Sequence, residues 1–189
     1  MGRLPHGITN ARACQYGNYY PPADISTSLY VFWSGSSDCF LMTFQYGTNA
    51  WTEGISNAMV NVSAVVDVLY SQGVRTLILP NSVDISKVPF FHYTANTLGA
   101  DTNEVALDLV NIRAQVPVFN AALAATVDQL RAKYPALALY APDFYSQFNF
   151  LFTHPAQYGV TKTDIDALED PSLAGKSFNG PGDGLHGAS

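Results

Sequence analysis

The chain has 189 residues, enough for one domain whose core needs no disulfide or metal to hold it. Nine Lys and Arg against fifteen Asp and Glu leave a net charge of −6. That balance excludes the clustered positive charge of a nucleic-acid binder and a polybasic membrane contact. The chain then divides as follows. Residues 1–24 have no period and hold Gly2, Pro5, Gly7, Gly17, Pro21 and Pro22, which predicts an irregular N-terminal segment. They contain no apolar h-region, so no signal peptide is expected in this chain. Residues 28–34, Ser-Leu-Tyr-Val-Phe-Trp-Ser, form a short apolar run rich in β-formers and predict a buried strand. The Gly35-Ser36-Ser37-Asp38 cluster after it predicts a turn or loop.

Residues 52–72 carry Ile55, Met59, Val62, Val66 and Leu69 at spacings of three and four, the mark of an amphipathic helix. An Asn61-Val62-Ser63 glycosylation-type triplet falls inside this helix and is read as chance. Residues 74–80 predict a second strand ending at Pro80, and 81–103 a long loop. Residues 104–133 predict a second helix, kinked or broken at Pro117, whose later half (Phe119, Leu123, Val127, Leu130) is amphipathic. Residues 136–140 predict a third strand and 143–152 a short aromatic helix. From residue 161 the chain is polar and rich in Gly and Pro. Continuous apolar strands alternating with helices predict an α/β domain with an open parallel sheet. Ligands of such sheets sit at the C-terminal ends of the strands. No apolar run reaches the ~18 residues of a membrane span.

Several ordinary chemistries fail on spacing. His6, His92, His154 and His186 are far apart, so no zinc site is encoded. Cys14 and Cys39 lack CxxC spacing, and whether they pair stays open. Residues 182–187 match G-x-G-x-x-G, but only two residues follow Gly187, leaving no room for the helix a dinucleotide site needs. A flavodoxin-like phosphate site would need a glycine-rich cradle, and Gly35-Ser36-Ser37-Asp38 has one glycine. Two places remain. One is the Gly35–Asp38 loop. The other is Asp183-Gly184-Leu185-His186, where an Asp three residues before a His can orient the imidazole and stabilise its cationic form.

With these features in place, the sequence resembles the GDSL or SGNH family of serine ester hydrolases over roughly residues 27–189. Residues 28–38 resemble the family's third block, a strand running into Gly-x-Asn-Asp. Residues 68–80 resemble its Leu-Tyr-x-x-Gly-Ala-Arg passage, and Phe119-Asn120-Ala121-Ala122-Leu123 its Phe-Asn-x-x-Leu helix. Asp183-Gly184-Leu185-His186 resembles its fifth block, Asp-x-x-His. The resemblance implies a three-layer α/β/α, flavodoxin-like sandwich over residues 25–189. It also implies hydrolysis of small-molecule or lipid carboxylic esters without a cofactor, and a secreted protein. Asp183 would orient the general base His186, and Gly35 and Ser37 would line the oxyanion side.

The sequence departs from the family in three ways. No Gly-Asp-Ser occurs, so no nucleophile is assigned. Ser37 stands where the family has its oxyanion Asn, and Gly187-Ala188 replaces Pro-Thr. Only 34 residues precede Gly35, too few for the family's first two strands, so those strands are expected to be missing. Ser34, Ser36 and Ser37 are stand-in nucleophiles by position, with turn chemistry as their ordinary role. Two expectations follow. The 28–34 strand should present an unpaired apolar edge unless residues 1–24 cover it. The absent nucleophile leaves a non-catalytic binding module on the same scaffold as the alternative. Phe144, Tyr145, Phe148, Phe150 and Phe152 are expected to pack in the core or to line an apolar pocket.

Overall fold

Three apolar triplets become strands: β1 (Leu29–Val31), β2 (Thr76–Ile78) and β3 (Ala138–Tyr140). The computed structural model describes residues 24–43, 50–88 and 102–161. The strands pair in parallel, in the order β1-β2-β3, with Tyr30 opposite Leu77 and Leu77 opposite Leu139. Single hydrogen bonds extend the ladder beyond the triplets, from Phe32 N–H to Ile78 O and from Leu79 N–H to Tyr140 O. Parallel neighbours need crossovers. Helices α1 (Ser36–Thr43) and α2 (Ala50–Ser71) supply the first, and α3 (Thr102–Lys133) the second. After β3 come α4 (Phe144–Thr153) and a 3-10 turn, Pro155–Tyr158. The result is a mixed α/β fold, mostly helical, with a small parallel sheet.

The core lies between one face of the sheet and the helices. Ile112, Val116, Phe119, Leu123, Val127 and Leu130 form a stripe along α3, at spacings of three and four. They pack with Ile55, Val62 and Val66 of α2 and with Leu77 and Leu139 of the sheet. Ridges of this kind fix α2 against α3, and the two helices are in contact. At their far ends Tyr134 stacks on Tyr70 at 4.2 Å, and Lys133 pairs with Asp67 at 2.8 Å. The opposite face of the sheet, formed by alternate strand residues, is not covered in the same way. Leu29, Val31, Ala138 and Tyr140 are all exposed there. Of the three expected layers, the described residues therefore build one helical layer and the sheet. Among them β1 is an edge strand.

Two local expectations change. Gly35-Ser36-Ser37-Asp38 is not a loop: Gly35 alone makes the turn, at φ 115°, and α1 begins at Ser36. Cys39 N–H donates to Gly35 O at 2.8 Å, closing the first helical turn. Asp38 in that first turn suits the positive helix end, and Cys39, Met42 and Thr43 bury the inner side. Turn residues and helix starts share a composition, so the sequence does not separate the two. Nor does Pro117 break the second helix. α3 runs through it, and Pro117 lies on the exposed side, where water can serve the carbonyl its missing N–H leaves unpaired. Cys39 is a free, fully buried thiol. Burial pushes its pKa up to about 12, which disfavours the nucleophilic thiolate. Cys14, the rest of the 1–24 segment up to residue 23, and the tail from 162 lie outside the described residues.

Candidate functional site

Three parallel strands bring three chain segments to one end of the sheet: residues 33–38 after β1, 81–82 after β2 and 142–145 after β3. Side-chain amides tie them together. The Asn81 amide donates to Asp143 Oδ1 at 2.8 Å, and its Oδ1 accepts from Tyr145 N–H at 2.8 Å. The Asn81 carbonyl accepts from the Trp33 indole N–H at 3.3 Å. One residue thereby links the ends of all three strands. Asn120, from the buried side of α3, clasps the next residue. It accepts from Ser82 N–H and donates to Ser82 O, both at 2.9 Å.

Below this frame lies a small polar cluster. Ser82 is fully buried, and its hydroxyl lies 3.2 Å from that of Ser36 and 3.3 Å from Val83 O. Gly35 fits between β1 and α3 because it has no side chain. A Cβ there would lie 2.6 Å from Phe119 Cε1 and 3.5 Å from Ser82 Cβ. The Ser34 hydroxyl donates to Asp38 Oδ2 at 3.3 Å. Ser37, the expected oxyanion residue, is exposed, and its hydroxyl has no partner among the described residues. So the structure brings Gly35 and Ser37 to the expected end of the sheet. Asp183 and His186 lie outside the described residues.

None of Ser34, Ser36 and Ser37 has an imidazole beside it among the described residues, and the one carboxylate in reach is Asp38, beside Ser34. His154 is the one described histidine, and its hydroxyl neighbour is Thr153, at 2.9 Å from Nδ1. The Thr153 hydroxyl is committed to the carbonyls of Asn149 and Phe150 at 3.2 and 3.0 Å, and the imidazole stacks on Phe150 at 4.1 Å. This is a helix C-terminus closing on itself, with no acid to orient the ring among the described residues.

Asp143 does two jobs at the rim. It caps α4 by accepting from Ser146 N–H at 3.0 Å, and it holds Asn81. Hydrogen bonds from Ser146, and then from Asn81, hold its carboxyl below the ordinary value of 3.8. A depressed carboxylate stabilises the fold above its unfolded pKa and loses that contribution as the pH falls through the folded one. Asp143→Asn should therefore unfold at lower temperature than the parent at pH 7. The gap should close as the pH falls below about 4, as thermal melts at a series of pH values would show.

The aromatic helix lies at the margin of the core, with Tyr145 packed against it. No residue of α4 is fully buried. Phe144 meets Trp33 edge-on at 5.1 Å, Phe148 meets Phe152 at 4.9 Å, and Phe150 is exposed. Sequence reasoning missed Asn81, Ser82 and the role of Asn120. An Asn directly after a strand-ending Pro was the available signal for the first. The chain matches no protein-family model and no curated protein sequence.

Proposed function

We propose that the chain is built on the scaffold of an SGNH-type ester hydrolase and acts on carboxylic esters of small molecules or lipids. One observation carries the reading: three residues after β1 the chain turns at Gly35 into α1, at the end of a parallel sheet where polar groups converge. The first N–H groups of that helix lack intrahelical partners and sit where the positive end of its dipole can hold a developing oxyanion. Ser37, in the first turn of that helix, is exposed, and its hydroxyl is free to donate. In this mechanism a serine oxygen attacks the ester carbonyl while His186 takes its proton and Asp183 orients the ring. The proton then passes to the departing alcohol, and water releases the acid from the acyl-serine.

The measurement is the intact mass of the folded chain after a fluorophosphonate probe, beside hydrolysis of p-nitrophenyl acetate. No Gly-Asp-Ser supplies the nucleophile, so one adduct per chain, with labelling and turnover both lowered on the order of 10³-fold or more in His186→Ala, would support the catalytic reading and assign the attack to another serine of the chain. A folded chain that takes up no adduct and turns over no ester overturns the catalytic reading. It would leave a non-catalytic binding module on the same scaffold. That second reading is favoured by the lack of an imidazole near Ser34, Ser36 or Ser37 among the described residues.

A further inference from the structure

Asn61-Val62-Ser63 is the single Asn-x-Ser/Thr triplet in the chain, and its middle residue is not proline. It lies inside α2, where its members divide between two sides of the helix. Val62 is 3% exposed and packs in the core. The Ser63 hydroxyl turns back to donate to Met59 O at 2.9 Å. Asn61 is exposed, and its amide has no hydrogen-bond partner among the described residues. Its neighbours on the helix surface, Asn57 one turn before and Ala64 one turn after, are exposed as well, and neither carries a charge. Side chains on a helix lean toward its N-terminus, so Asn61 leans over Asn57 and not into the core. A bulky group on Asn61 Nδ2 therefore extends into solvent with no core residue to displace.

We propose that Asn61 is the attachment site of an N-linked oligosaccharide, added as the chain enters the secretory lumen and before α2 closes. The helical setting selects this order. In the folded helix the Ser63 hydroxyl is committed to Met59 O, and the backbone of the triplet is held in the helical ladder. A transferase that reads the serine hydroxyl beside the asparagine amide needs an open triplet, which the unfolded chain offers and the helix does not. The product, by contrast, fits the folded helix, because Asn61 is the member of the triplet that faces out. In the transfer the Asn61 amide nitrogen bonds to C1 of the first sugar of a lipid-diphosphate-linked oligosaccharide. The bond from C1 to the diphosphate oxygen breaks, the lipid diphosphate leaves with the electron pair, and the amide proton passes to a base of the transferase. The inference is independent of the ester-hydrolase reading.

The full chain is expressed behind a secretion leader in a eukaryotic host, and its intact mass is read in the secreted and the cell-retained protein alike, before and after enzymatic release of N-glycans. The parent should carry an N-acetylglucosamine core with a series of hexoses and lose all of it on release. Release converts the modified asparagine to aspartate, so the peptide holding Val62 should show the mass of that conversion. Asn61→Gln and Ser63→Ala should carry no sugar, and Ser63→Thr should keep it. Glutamine and alanine are both good helix formers, so α2 survives in the first two. Thermal midpoints of the parent before and after release should agree. Folded, sugar-free chain made in bacteria should accept no sugar from microsomes that hold the transferase and its lipid-linked donor. A parent without sugar in both fractions overturns the inference. So does sugar that persists in both Asn61→Gln and Ser63→Ala, or a modified parent that melts well below its released form. Ready transfer to the folded chain would overturn the proposed order.

Discussion

Gly35→Ala should lower the unfolding midpoint by roughly 5–15 °C, the shift expected when a chain of this length loses a few kcal/mol. Two costs add. At φ 115° the backbone of Gly35 lies where a side chain is strained, which costs about 1–3 kcal/mol. The new Cβ would also lie 2.6 Å from Cε1 and 2.9 Å from Cζ of Phe119. Phe119 is 1% exposed, in the middle of the α3 stripe, and cannot swing into solvent. Forcing it aside costs roughly another 1–3 kcal/mol. The two costs separate in a double-mutant cycle. In a Phe119→Leu background the overlap disappears and the backbone strain stays, so the Gly35→Ala penalty should fall by about half. An undiminished penalty would show that the ring is not the obstacle. Chemical denaturation of the four chains at pH 7 gives the result.

Asn120→Ala is expected to destabilise the fold by about 2–4 kcal/mol, far more than an average surface change. The side chain satisfies both main-chain groups of Ser82, and removing it leaves a buried N–H and a buried carbonyl without partners. Asn120→Asp keeps an acceptor for Ser82 N–H but loses the donor to Ser82 O and brings an anion inside. It should recover little of the loss at pH 7 and more near pH 4, where the acid can protonate and donate. Equal stability of the Ala variant and the parent would mean that water replaces the amide. Hydrogen exchange at the Ser82 amide, protected in the parent and open in the variant, reads the same bond directly.

The sheet and the long helices were legible because their signals are local and repeated. Runs such as Leu77-Ile78-Leu79 before Pro80 can be little else than a strand, and α3 shows its stripe at fixed spacing. α1 was not legible: its eight residues open with Ser-Ser-Asp, as a turn does, and its burial depends on what lies beneath it. Pro117 marked a kink or a break in the sequence, and the helix continues through it unbroken. The site was half legible. Gly35 and its place at the end of β1 follow from the strand. The clasp of Asn120 on Ser82 spans 38 residues, and the tie from Asn81 to Asp143 spans 62. Neither leaves a periodic trace, since both pairings arise only when the sheet has formed.

The strand order β1-β2-β3 also says something about how the chain emerges from the ribosome. Each strand joins beside its immediate predecessor, so β1, α1, α2 and β2 can assemble as a unit once Ile78 has cleared the exit tunnel. β3 starts at Ala138, and at roughly 5–20 residues per second its arrival takes several seconds more. During that interval the inner side chain of β2, Leu77, and its outer edge wait for α3 and Leu139. Those seconds are when a nascent chain of this protein is most exposed to wrong pairing and has most use for a chaperone that binds bare strands.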